Sequence, residues 1–85
     1  MNGPSRMMVD WSRVMEETRR EGYTLSEIAQ FTTISRSNLT TYQYHGMEPR
    51  HWYGVQLLRL WAQVTGKQAD DPPLIPRPLS AADFR

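Results

Sequence analysis

The chain has 85 residues and a formal net charge of +1, so it forms one domain at most and is too small for a two-lobed enzyme. It has no cysteine, which excludes disulfides and thiolate zinc sites, and 39% hydrophobic with 22% charged residues is ordinary globular composition. Ten basic against nine acidic residues point to neither nucleic acid nor membrane, so a partner has to be read from local pattern.

No apolar run approaches the roughly 20 residues that span a bilayer, and no signal-peptide pattern opens the chain. A cytoplasmic location is the expectation. Residues 1–8, with Gly3 and Pro4, read as a flexible start, with Arg6 as a candidate arm. Residues 9–67 carry the regular apolar spacing of a domain. Residues 68–85 hold Pro72, Pro73, Pro76 and Pro78 and read as an extended, Pro-rich tail. No segment alternates with a period of two, so the fold class expected is all-α, a compact bundle of four to five helices.

The first helix starts at Asp10 as N-cap, and Trp11, Val14, Met15 and Thr18 fall on one face. Gly22 suits a left-handed terminus. Glu16, Glu17 and Glu21 mingle with Arg13, Arg19 and Arg20 at helical spacings, which reads as a solvated face with ion pairs. The second helix starts at Thr24, since Thr24-Leu25-Ser26-Glu27 is a capping box, and Leu25, Ile28 and Ala29 point inward. Thr32 and Thr33 are poor helix formers and end it. The third helix has Ser35 as N-cap and stops at Gly46, with Leu39 and Tyr42 inward.

At about 100° per residue, Arg36, Ser37, Thr40, Thr41 and Tyr44 share the opposite face of the third helix. A merely solvated face usually carries Glu and Lys pairs. This one offers hydroxyls, a guanidinium and a phenol, groups that suit base edges and phosphates. Ser35 is first a cap; the free N–H groups beside it favour a phosphate as well. Asn38 supports the cap or flanks the core.

The fourth helix is expected to start at Pro49, a suitable first-turn residue, and to end at Gly66. Tyr53, Leu57, Leu60, Trp61 and Val64 form the stripe that closes the core. Val55, Leu58 and Ala62 form a second apolar stripe that needs a cover: the chain's own tail through Leu74, Ile75, Leu79 and Phe84, or the same helix of a second subunit. Ser80 to Asp83 could cap a short terminal turn. Residues 49–67 carry Arg50, Arg59 and Lys67 without an acid, and Arg50 is the best candidate for a phosphate contact, with His45 a further one. His45 and His51 have no acidic or cysteine partner at metal-ligand spacing, so no metal is expected. Paired carboxylates, a nucleophile–base set and a phosphate-cradling loop are all missing. Neither catalysis nor a cofactor is expected.

The run Thr24-Leu25-Ser26-Glu27-Ile28-Ala29, followed by Ile34-Ser35-Arg36-Ser37-Asn38-Leu39 and Tyr42, resembles the lambda-repressor/Cro-like helix-turn-helix family. Gly46, Pro49 and Leu57-Leu58-Arg59-Leu60-Trp61 continue the resemblance across residues 9–66. It implies a small phage or bacterial regulator, usually a symmetric dimer, that binds double-stranded operator DNA. The recognition helix would run from Ser35 to Tyr44, with Arg36, Ser37 and Thr41 reading bases and Thr40 and Tyr44 flanking them. The family's turn commonly has Gly where this chain has Thr33, so an altered or strained turn is expected. From another class, a helix-turn-helix adaptor would act in phage assembly or packaging, in recombination or on a host protein, through the apolar fourth helix and residues 68–85.

Overall fold

The computed structural model describes residues 7–76. Among them are a strand β1 (Met7–Val9), helices α1 (Trp11–Arg20), α2 (Leu25–Thr32), α3 (Arg36–His45) and α4 (His51–Thr65), and a strand β2 (Leu74–Pro76). The chain is mostly helical, and α1 and α2 each pack on both α3 and α4.

Helix α1 begins as its sequence dictates: Asp10 Oδ1 accepts the Arg13 N–H at 3.1 Å. Its expected inner face is buried, and the Thr18 hydroxyl satisfies itself in the core by donating to the Val14 carbonyl at 2.8 Å. Glu17 is buried as well, which corrects its reading as part of a solvated face. In α2 both arms of the capping box form, with the Thr24 N–H donating to Glu27 Oε1 at 2.9 Å and the Glu27 N–H to Thr24 Oγ1 at 3.1 Å.

Thr33 ends α2 in the left-handed region at φ 61°, where a glycine is common and a β-branched residue strained. Three hydrogen bonds hold the turn there. Its N–H donates to the Ala29 carbonyl at 2.8 Å, and the buried Thr32 hydroxyl donates to the Ile28 carbonyl at 2.7 Å while accepting the Ile34 N–H at 3.3 Å. The turn therefore closes with Ile34 buried beneath it. Ser35 then caps α3 by accepting the Asn38 N–H at 3.1 Å, and Gly46 ends it at φ 64°. Leu39 and Tyr42 are the buried side chains of α3.

The start of α4 differs from expectation. The helix begins at His51 with Arg50 as N-cap, and Pro49 lies one residue further out, buried. The buried line of α4 is Gly54, Leu57 and Trp61, while Tyr53, Leu60 and Val64 are half-buried at its edge. A Cβ on Gly54 would lie 3.1 Å from Trp11 Cη2, so α1 and α4 meet there closely enough that only a hydrogen fits comfortably.

The expectation of an all-α fold is corrected by the strands, which pair antiparallel with Met7 opposite Pro76, Met8 opposite Ile75 and Val9 opposite Leu74. The Asp10 N–H extends the ladder by donating to the Pro73 carbonyl at 2.8 Å. Three-residue strands are too short to show a period of two, and prolines on β2 and before it mask the pattern further. Residues 7 and 8 and residues 74–76 thus belong to the folded body rather than to a free start and tail. Arg6, Leu79, Phe84 and the turn at 80–83 lie outside the described residues.

Candidate nucleic-acid interface

The two capped helices α2 and α3 and the turn between them place one face of α3 outside. Arg36 and Ser37 are exposed, Thr40 and Thr41 half-buried, and Tyr44 is 62% exposed. The threonine hydroxyls are not free donors. Thr40 donates to the Arg36 carbonyl at 2.9 Å and Thr41 to the Ser37 carbonyl at 3.0 Å. With its proton engaged, each hydroxyl keeps only lone pairs to offer a ligand. Beside the donor Arg36, this gives a face that can accept from an exocyclic base amine or touch a thymine methyl. No Asp or Glu occurs between residues 28 and 47, so nothing on α3 repels a polyanion.

The expected phosphate contacts separate. Ser35 sits at the exposed start of α3 with its oxygen already accepting as a cap, which leaves its hydroxyl proton available. Arg50 comes close to α3: with Asn38, Thr41, Tyr42, Glu48 and Tyr53 it lines a surface pocket of about 330 Å³. Burial pushes the Tyr42 phenol above its ordinary pKa, with Tyr53 adding to the rise and the Arg50 charge opposing it. His45 points elsewhere. It lines a pocket of about 150 Å³ with Met8, Val9, Trp11 and Ile75, on the side of the strand pair rather than beside Thr40.

Two side chains matter more than their sequence pattern showed. Arg19 of α1 reaches α3, donating to Gln43 Oε1 at 3.2 Å and to the Tyr44 phenol oxygen at 3.4 Å. Glu17 accepts from Trp61 Nε1 at 2.9 Å, Lys67 Nζ at 3.1 Å and Arg13 Nε at 3.0 Å. The Trp61 hydrogen bond, with those of Lys67 and Arg13, outweighs burial and lowers the Glu17 pKa to about 2. A signal for Glu17 was present: it borders the buried stripe, about 60° from Val14 on the wheel. For Arg19 there was none, because its partners are 24 and 25 residues away.

The second stripe of α4 is half-buried within the single chain, and Leu58 and Ala62 pack against the core while Val55 does not. Apolar surface instead remains at Phe31 (63% exposed) and at Met47 and Trp52. Phe31, Tyr23, Leu60 and Val64 border a groove between α2 and α4 of about 450 Å³. Among the described residues no group of three or more His, Asp or Glu converges as a metal site, and no helix is long and apolar enough to cross a membrane.

No family model, curated protein or solved structure matches the chain.

Proposed function

We propose that the chain is a sequence-specific duplex-DNA-binding regulator of phage or bacterial type that reads the major groove with residues 35–44. The observation that carries this is the acid-free outer face of α3, set on a capped α2–turn–α3 unit and flanked by Arg50. A helix of this kind fits the roughly 12 Å major groove, with Arg36 placed to pair bidentately with guanine and Ser37, Thr40 and Thr41 to sort bases by acceptor and methyl contact. The resemblance to lambda-repressor/Cro-like proteins supports the same reading. The regulator acts in the bacterial cell or infected host by occupying an operator, as a repressor. A homodimer reads two half-sites about one helical turn apart.

Selection of bound duplexes from a random pool tests the reading. The expected product is a palindromic consensus bound with a steep salt dependence. Arg36→Ala should weaken binding to that consensus by about 1–3 kcal/mol and relax the preference at one position. Absence of duplex binding at low salt would sink the proposal.

A second reading is favoured by one observation, the exposed Phe31 beside the α2–α4 groove. There the chain is an adaptor that captures a protein partner, in phage assembly or on a host protein. Arg36→Ala would leave that partner bound, and Phe31→Ser would release it.

A further inference from the structure

Arg19 leaves the last turn of α1 and crosses to the end of α3, where it bonds two consecutive side chains, Gln43 and Tyr44. A guanidinium only donates. The Gln43 amide must therefore offer Arg19 its oxygen, which turns its NH₂ group away. The Tyr44 phenol likewise accepts from Arg19, so its own proton points elsewhere. Three neighbouring groups are left presenting N–H and O–H donors, at a phenol that is 62% exposed. Among the described residues Glu17 is the carboxylate paired with Arg13 and Lys67, and Arg19 pairs with none. Such a cluster suits a ligand that carries charge and only acceptors, which describes a phosphodiester.

Its place on α3 narrows the ligand further. On the helical wheel Gln43 lies about 20° beyond Arg36 on the side away from Thr41, whereas Arg50 approaches on the Asn38–Thr41 side. The outer face is thus bracketed by one guanidinium on each flank. From Arg36 to Tyr44 the helix rises about 12 Å, comparable to the width of the major groove between its two phosphate walls.

We propose that Arg19, held by Gln43 and Tyr44, is a backbone clamp that grips a phosphodiester of duplex DNA on the flank of α3 opposite Arg50. The inference rests on duplex binding through α3, and it moves Tyr44 from flanking the base readers to backbone contact. Arg19 and Tyr44 then set affinity without sequence preference, while Arg36 sets preference.

The test is a salt titration of binding to the selected duplex and to an unrelated one, with thermal unfolding of each variant. Arg19→Ala should weaken both complexes by the same factor and make the slope of log K against log salt shallower by about 0.9. Arg19→Lys should restore the slope, and Tyr44→Phe should weaken both complexes by about two- to tenfold with the slope kept. Should Arg19→Ala melt early, Arg19→Gln removes the charge while keeping a donor and is measured in its place. An unchanged slope in a folded, uncharged variant overturns the clamp, as does a loss confined to the selected duplex. No binding by the unmodified chain overturns both the clamp and the duplex-binding reading.

Discussion

Glu17 shows how a charged residue becomes part of a core. Its side chain is buried, and each carboxylate oxygen has a donor of its own: Trp61 and Lys67 on Oε1, Arg13 on Oε2. With its carboxyl held at about 2 instead of 4.5, the group stabilises the fold wherever it is ionised in both states. That contribution is complete above pH 4.5 and is lost as the pH falls towards 2. The difference corresponds to about 3 kcal/mol, an upper figure because Arg13 and Lys67 are largely exposed. Urea unfolding at pH 7 and pH 2.5 should show this loss, and Glu17→Gln should be less stable at pH 7 and much flatter with pH. An identical pH slope in the variant would assign the acid sensitivity to other carboxylates. The sequence shows Glu17 at helical spacing from two arginines. That it faces Trp61, 44 residues away, is a tertiary fact no local pattern carries.

At the scale of elements, the caps were the most legible feature. Asp10, Thr24 and Ser35 are small oxygen-bearing residues before apolar periodicity, and each makes its expected bond to a backbone N–H. A cap is local chemistry, and local chemistry survives in sequence. The start of α4 was misplaced by two residues because Pro49 fits both the first turn and the residue before a cap, and burial of its ring decides between them. Gly54 was silent for a similar reason: only the approach of Trp11 explains it. The turn is the element where sequence signalled strain, and the strain is there at Thr33. A left-handed β-branched residue costs about 1–2 kcal/mol, partly offset by the extra chain entropy a glycine would lose. Thr33→Gly should therefore raise stability by about 0.5–1 kcal/mol, read as an increase in the melting temperature of about 2–8 °C. A lower melting temperature would mean that the Thr33 hydroxyl, which donates to the Thr32 carbonyl, outweighs the strain.

Across the whole molecule, the returning segment after α4 gives β1 a partner that an extended tail would not. Past Gly66 the chain runs by Asp71, Pro72 and Pro73 along Arg13, Glu17 and Trp61 before pairing with β1. The tail residues expected to cover the second stripe of α4, Leu74 and Ile75, pair with β1 instead and stay 56% and 41% exposed, and it is the core that Leu58 and Ala62 pack against. A chain ended after Pro76 keeps both strands and serves as the reference. Ending it after Lys67 removes β2 and the Asp10–Pro73 backbone bond, and should lower stability by at least about 1 kcal/mol, or about 4–8 °C, so that the returning segment acts as a strap. Equal melting of the two truncations would show that the strap adds nothing. The choice of endpoint matters for partner tests too, because removing residues 68–85 as a block would confuse a lost docking segment with a weakened fold.

Pairing Met7 with Pro76 also makes the folded body nearly circular. The path leaves one point, visits four helices and comes back to within a strand spacing of where it began. Cutting such a ring elsewhere changes its connectivity without changing its contacts. A circular permutant that joins residues 76 and 7 through a short glycine-serine linker and opens between Gly46 and Pro49 should fold, with circular dichroism as the measure. In that molecule α3 ends at a free terminus. Whatever α3 touches can then be probed by lengthening it, while in the unpermuted order anything joined directly at residues 7 and 76 starts from a single spot at the strand pair.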